Sequence, residues 1–157
     1  MSLEVIVGNH QSAIEIPESW LTALEAVAHD AADMALTHAA HDDSPLAHLA
    51  MLEVALVDDP TSDRVHQDFM KIEGATDVIT FHHGEIVIGA EVAKRQADEY
   101  GEPLLREIFR YLVHGLLHLA GHEDESDDER SHMESAQEKI VTKCWEMGLE
   151  ERSEDVA

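Results

Sequence analysis

The sequence predicts a single α+β domain, an α/β layer in which a small mixed sheet of four strands packs against about five helices. The chain has 157 residues, 44% of them hydrophobic, which is enough for one core. Short β-branched segments alternate with longer segments of helical periodicity. One segment, 102–121, is apolar around most of its circumference and should lie at the centre. We expect the domain to span 1–150 and residues 151–157 to form a flexible tail.

The strands are predicted from short runs of apolar and β-branched residues. "LEVIVGN" at 3–9 and "HLAMLEVALVDD" at 48–59 predict two strands, the second of them buried. The segment 77–93 predicts two further short strands around a turn at His82–Gly84. Together these segments account for the expected four strands.

The helices are predicted from apolar residues spaced three and four apart. Pro17 suits a first helical turn, Ser62 or Asp63 is expected to cap the second helix, and Gly101 closes the third. The last helix has an acidic start, which is favourable at the positive end of a helix dipole. The predicted helical segments are 16–39, 60–74, from Gly89 to Tyr100, 102–121 and 125–148.

Composition excludes several classes of protein. Cys144 is the only cysteine, which rules out an internal disulfide and a cysteine-rich zinc site. No apolar run reaches the roughly 18 residues that span a bilayer, so we expect no membrane partner. The N-terminal "MSLEVIVGNH" lacks the basic region and cleavage site of a signal peptide, so a cytoplasmic location is the default expectation.

The net charge of −24 is unusual for a chain of this length. Such a chain should repel nucleic acid, because phosphate binding normally uses clustered Lys and Arg. One interpretation is an adaptation of the surface for solubility or high salt. The other is a surface that docks on a basic partner.

The segment "YLVHGLLHLAGHED" at 111–124 carries the main candidate site. His114 and His118 are four residues apart and therefore share one face of the predicted helix. Gly121 can end the helix in a left-handed conformation and turn the chain back, so that Asp124 supplies a third ligand. This order of two helical histidines, a glycine turn and a third ligand resembles the metzincin layout, which makes the expected fold zincin-like.

Two histidines and one carboxylate leave a fourth position for water, the open arrangement of a catalytic zinc. The alternative is that the two histidines are ordinary core or surface residues, although buried imidazoles then need other partners. Three interpretations remain open for His122: a group outside the ligand set that supports it, an alternative ligand, or an exposed residue. Gly115 stands where zinc peptidases of the His-Glu-x-x-His type carry their general base, so a metallopeptidase is weakly supported.

With these residues identified, the sequence resembles the YbeY family of metal-dependent endoribonucleases, which are linked to ribosomal RNA maturation. "HGLLHLAGHED" is similar to the family signature His-Gly-x-Leu-His-Leu-x-Gly-Tyr-Asp-His. "FMKIEGATDVITF" at 69–81 is similar to Arg-x-x-x-x-Pro-Thr-Asp-Val-Leu-Ser-Phe, and "GEIVIGAEVA" at 84–93 to the strand and helix start that follow. The three blocks keep the order and spacing of the family.

The resemblance implies a zinc-dependent single-strand endoribonuclease that matures the 3′ end of small-subunit ribosomal RNA. It implies ribosomal RNA and the ribosome or a ribosomal protein as partners, and we expect no DNA partner. Two departures stand against activity: Asp124 replaces the family's histidine ligand, and Met70 replaces an arginine. The alternative is a metal-binding ribosome-assembly factor with weak or no nuclease activity.

The roles of the remaining site residues are less specific. Thr76 and Asp77 are expected to brace the site or cap a turn, and Gly121 supports the turn that carries the third ligand. Glu123 and His122 are weak candidates for moving protons; beyond them, the sequence assigns no catalytic residue.

Overall fold

The computed structural model describes residues 3–40, 43–70 and 76–155, which form one α+β unit and confirm the predicted fold class. The strands are β1 (Glu4–Asn9), β2 (Met51–Val57), β3 (Val78–Phe81) and β4 (Glu85–Gly89). The helices are α1 (Glu18–Thr37), α2 (Pro45–His48), α3 (Asp59–Met70), α4 (Ala90–Tyr100), α5 (Leu104–Leu119), α6 (Asp127–Cys144) and α7 (Glu150–Arg152). The short helix α2 was not predicted, and β2 is shorter than the expected 48–59.

The four strands form one mixed sheet in the order β1-β2-β4-β3. Strands β1, β2 and β4 are parallel, and β3 pairs antiparallel with β4 across a tight turn. Gly84 occupies this turn with φ +107°, a conformation that favours glycine. Strand β3 is therefore an edge strand, and its outer side is available to form the wall of a cleft.

The two faces of the sheet bury different cores. Alternate residues such as Leu52, Val54 and Ile86 face the main core with α1, α5 and α6. Residues of opposite parity, Val57, Ile79 and Val87, form a smaller cluster that α3 covers. The larger core thus lies on the side of the sheet that carries the metal motif.

Helix α5 is central, as its sequence predicts. It has buried residues on nearly all sides, among them Phe109, Leu112 and Leu116, each with no exposed surface. Shortening one of these leucines to alanine would cost about 2–5 kcal/mol of unfolding free energy. The motif therefore stands on the most firmly packed helix of the fold.

The predicted cap of helix α3 is wrong. Asp58 Oδ1 accepts the Thr61 backbone N–H at 2.9 Å, whereas Ser62 is buried one turn further on. The sequence offers several capping residues in a row, and packing against β4 decides which one begins the helix. Asp63 also lies inside the helix. The end of the predicted segment, 71–74, lies outside the described residues.

Helix α6 begins with a capping box, in which Ser126 and the Glu129 carboxylate bond reciprocally to backbone N–H groups. After α6, the chain turns at Gly148, where φ is +130°. The segment predicted to be a flexible tail carries contacts as far as the described chain extends: Trp20 Nε1 donates to the Arg152 carbonyl at 2.6 Å, and Ser19 Oγ donates to Asp155 at 2.6 Å.

Among the described residues, no helix has both the length and the apolar character needed to cross a membrane.

Candidate metal centre

Helix α5 places the two motif histidines side by side. His114 and His118 are one turn apart, and their Nε2 atoms lie 3.2 Å from each other. Their rings meet edge to face, with centroids 4.7 Å apart. Each side chain is 26% exposed, so both imidazoles sit half-buried at the floor of an open cleft.

The turn after α5 brings the third residue to the same point. Gly121 has φ +96°, and its N–H donates to the His118 carbonyl while the His122 N–H donates to Leu117. This is the Schellman arrangement that ends a helix with a left-handed residue. It returns Asp124 to the histidines, as the sequence predicts.

The three side chains together have the geometry of a metal site. Asp124 Oδ2 lies 3.9 Å from His114 Nε2 and 3.7 Å from His118 Nε2. In a tetrahedral zinc site with bonds near 2.0–2.2 Å, neighbouring ligand atoms are separated by roughly 3.3–3.5 Å. The one nitrogen–nitrogen and two nitrogen–oxygen distances thus fit a single small cation once the Asp124 carboxylate moves slightly closer to the histidines. The donor types suit zinc.

Each histidine is oriented by a hydrogen bond to its other ring nitrogen. His114 Nδ1 donates to Gln137 Oε1 at 2.8 Å, and His118 Nδ1 donates to the His122 carbonyl at 3.0 Å. These bonds place the protons on Nδ1 and leave both Nε2 lone pairs directed at Asp124. Metal-binding histidines are typically fixed in this way.

The hydrogen bond from His114 continues into a half-buried ionic network. Gln137 Nε2 donates to Glu138 at 3.1 Å, and Arg110 Nε donates to the same carboxylate at 2.9 Å. Arg110 also bridges Glu102 and Glu107, and its side chain is only 17% exposed. This network ties α5 to α6 and fixes the amide that holds the imidazole.

Burial lowers the pKa of His118, and the neighbouring His114 lowers it further. The hydrogen bond to the His122 carbonyl and the charge of Asp124 oppose this shift without cancelling it. The imidazole is therefore neutral at pH 7, which is the form that binds metal.

His122 has a role different from its neighbours in the motif. Its side chain is buried, and Nε2 donates to the His38 carbonyl at the end of α1 at 2.6 Å. The ring thus joins the turn after α5 to α1. Glu123 lines the same neighbouring cavity as His122, and neither is among the described residues that line the metal cleft.

The metal centre opens into a cleft of about 490 Å³. One wall is α5 with the Asp124 turn, and the other is the edge strand β3 with the end of α3. Met70, His66 and His82 line it beside the predicted site residues Thr76 and Asp77. A chain passing along β3 would therefore meet the metal-binding side chains.

Thr76 and Asp77 are positioned by local hydrogen bonds at the entry of β3. Ser62 Oγ accepts the Thr76 N–H at 2.9 Å and donates to the Thr76 carbonyl at 3.1 Å. Asp77 Oδ1 accepts from the Val78 backbone N–H at 2.7 Å. The buried Ser62 thereby joins α3 to the entry of β3.

Gly115 is required by packing. A Cβ atom added there would lie 2.7 Å from the Ile86 side chain, inside the contact distance of carbon atoms. A glutamate at this position, as in zinc peptidases of the His-Glu-x-x-His type, would point into the sheet. The helix face that carries the general base of those enzymes is here closed by β4.

Gln137 was not predicted as a site residue from the sequence, and neither were the aromatic side chains of Phe69, Phe81 and His83 beside the cleft. Gln137 is 8% exposed and lies on the buried face of α6, between Met133 and Ile140. A polar residue at an apolar helix position is a signal of a buried hydrogen bond. Its partner cannot be read from the sequence, because it lies on another helix.

The fold and the site define the class: a small α+β domain with an open candidate metal site, formed by two histidines of the central helix and one carboxylate of the turn that follows it. A sequence profile described as "Endoribonuclease YbeY" matches residues 7–145, which is most of the chain. The chain therefore belongs to the YbeY endoribonuclease family, and the resemblance noted from its motifs is confirmed.

Individual relatives agree with this assignment. The Endoribonuclease YbeY of Heliobacterium modesticaldum is 33% identical over 146 residues, covering 82% of this chain and 86% of that protein. That of Myxococcus xanthus is 38% identical over 103 residues, covering 57% of this chain but only 35% of that protein. The solution structure of TM1509 from Thermotoga maritima has the same fold, with a TM-score of 0.64, 24% identity and coverage of 98% and 95% of the two chains.

Proposed function

We propose that this protein is a zinc-dependent endoribonuclease that cleaves single-stranded RNA and matures the 3′ end of small-subunit ribosomal RNA. The observation that carries the proposal is the convergence of His114, His118 and Asp124 at the floor of an open cleft, in a chain of the YbeY family. The relatives are named endoribonucleases, which supports RNA as the substrate. Ribosomal RNA, the ribosome and a cytoplasmic location are further parts of this proposal.

The three side chains would hold one zinc ion, with a coordination position left for water or substrate. When bound, zinc supplies Lewis acidity toward a phosphoryl oxygen and lowers the pKa of water. Asp124 contributes a negative charge that a third histidine would not, which weakens that acidity. Two imidazoles and one carboxylate form a donor set that supports zinc as the metal of this proposal.

The protein residues around the site hold it ready for this chemistry. Gln137 and the His122 carbonyl hold both imidazoles with their Nε2 atoms aimed at one point. On the opposite wall, the Thr76 backbone N–H donates to Ser62 Oγ and the Val78 N–H donates to Asp77 Oδ1, which holds the entry of β3 in place. Fixed groups of this kind reduce the reorganisation needed when the substrate binds.

The experiment that tests the proposal is metal-dependent cleavage of precursor small-subunit RNA. Purified protein loaded with one zinc per chain should cleave it, alone or on ribosomal particles. A chelator or His118→Ala should abolish cleavage, and added zinc should restore it only to the chelated wild type. A protein that retains stoichiometric zinc and cleaves none of these substrates would refute the nuclease assignment.

A second candidate function is a metal-binding ribosome-assembly factor with weak or no nuclease activity. Met70 favours it, because this position carries arginine in the family motif and its side chain lines the cleft, 53% exposed. The net charge of −24 also favours docking through a basic protein over direct RNA binding. Since Met70 faces open space, Met70→Arg can be accommodated and should raise cleavage; an unchanged rate would count against a missing arginine as the cause of low activity.

A further inference from the structure

Three aromatic rings lie in contact at the end of β3. The rings of Phe69 and Phe81 meet edge to face, with centroids 5.1 Å apart at 80°. His83 stacks on the other side of Phe81, with centroids 5.6 Å apart at 24°. These three residues, called the aromatic rim, connect the end of α3 to the turn between β3 and β4.

The outer members of the aromatic rim are exposed. Phe69 is 64% exposed, and the His83 side chain is 70% exposed. Phe81 is half-buried against the smaller core, near Ile79 and Val87, and this holds it in place. A single exposed hydrophobic residue is ordinary. Here three rings are held in contact with their outer faces open, so that another flat ring can stack on them.

The aromatic rim borders the metal cleft without lining it. Met70, next to Phe69, lines the cleft, and so does Ile79, which lies two residues before Phe81 on the same face of β3. The cleft also contains the metal-binding residues of α5. A flexible polymer held on the rim would therefore lie next to the candidate metal site.

The charge of the cleft restricts how such a polymer can be held. Asp77 and Asp124 line it, and among its described lining residues there is no lysine or arginine. Proteins usually bind nucleic acid by neutralising phosphates with these cations. Stacking of bases on aromatic rings needs no positive charge, tolerates any sequence and requires unpaired bases.

We propose that Phe69, Phe81 and His83 form a stacking platform for the unpaired bases of single-stranded RNA at the entrance of the metal cleft. This inference rests on the proposed endoribonuclease function and names the surface that holds the substrate. It also gives the site its preference for single strands, because the bases of a duplex are not available for stacking. Binding by this surface depends little on salt, since few phosphates are neutralised.

The test uses the zinc-loaded full chain and a fluorescent 2′-O-methyl oligoadenylate, which resists cleavage. Fluorescence anisotropy should show that Phe69→Ala weakens binding by at least about fivefold, and that Phe69→Trp keeps it. The matched control is Tyr100→Ala, because Tyr100 is equally exposed at 68% but lies at the end of α4, whereas Phe69 is next to the cleft-lining Met70. An oligonucleotide with abasic sites should bind wild type and Phe69→Ala equally.

Several outcomes would overturn the proposal. These are an unchanged affinity for Phe69→Ala, an equal loss for Tyr100→Ala, or no binding by the wild type. If sedimentation shows that Phe69→Ala dissociates a dimer, the aromatic rim is a contact between two copies of the chain instead. Binding and cleavage are separate measurements, so a protein that binds through the aromatic rim but cleaves nothing would refute the proposed function and leave this inference standing.

Discussion

The hydrogen bond that His114 donates to Gln137 should raise the affinity for metal about 10- to 100-fold. The substitution Gln137→Leu keeps the volume of the side chain and removes the acceptor that His114 Nδ1 reaches at 2.8 Å. Because Gln137 is only 8% exposed, water cannot easily replace it. A buried donor without a partner costs about 1–3 kcal/mol.

Part of that cost appears in the affinity for metal, because binding requires the imidazole in one orientation. Loss of such an outer-sphere partner typically weakens metal binding about 10- to 100-fold, equivalent to about 1.4–2.7 kcal/mol. The assay is a competition titration of zinc against a chromogenic chelator. Gln137→Glu is the matched control: it keeps an acceptor for Nδ1 and should bind zinc nearly as tightly as wild type.

The expected role of Gln137 is wrong if Gln137→Leu folds with an unchanged far-ultraviolet spectrum and binds zinc as tightly as wild type. In that case the orientation of His114 is fixed by helix packing alone. A loss of affinity in both variants would instead assign the effect to the Gln137 amide nitrogen and its bond to Glu138.

Three further predictions follow from the same contacts. Asp124→Ala should lose bound zinc in metal analysis while His122→Ala retains it; loss in the second variant alone would overturn the ligand assignment. The Arg110 guanidinium lowers the pKa of Glu102 below its usual 4.5. The pair therefore stabilises the fold above about pH 4.5, and this stabilisation is lost as the pH falls through the lowered pKa. In urea unfolding between about pH 6 and pH 3, the free energy of unfolding should therefore fall less steeply for Glu102→Gln than for wild type. An identical pH dependence would show that the pair does not contribute to acid stability. Burial raises the pKa of Cys144 to about 11, so the native thiol should resist iodoacetamide at pH 8 and react in urea; rapid native labelling would contradict its burial.

Local physical chemistry explains why much of the candidate site is predictable. A spacing of four puts His114 and His118 on one helix face whatever surrounds the helix. A glycine three residues later permits the left-handed turn that returns Asp124, and this too is a property of neighbouring residues. The strand pair around Gly84 and the helix ending at Gly101 were predictable for the same reason.

The prediction of the α3 cap failed because several local solutions were equally good. Asp58, Ser62 and Asp63 can all accept an N–H at a helix start. The structure uses Asp58, and buries Ser62 so that it holds Thr76 instead. The choice depends on how α3 packs across the sheet, which the local sequence does not contain.

The sequence by itself predicted most of the elements of this protein, the candidate metal-binding triad and the family to which the chain belongs. Each of these depends on residues within a few positions of one another, or on motifs in a fixed order. Only the tertiary structure decided which groups orient the histidines, which wall faces them and what lies at the entrance of the cleft. Gln137, strand β3 and the aromatic rim reach the site from elements distant in the chain, and their meeting depends on packing angles that no local pattern specifies.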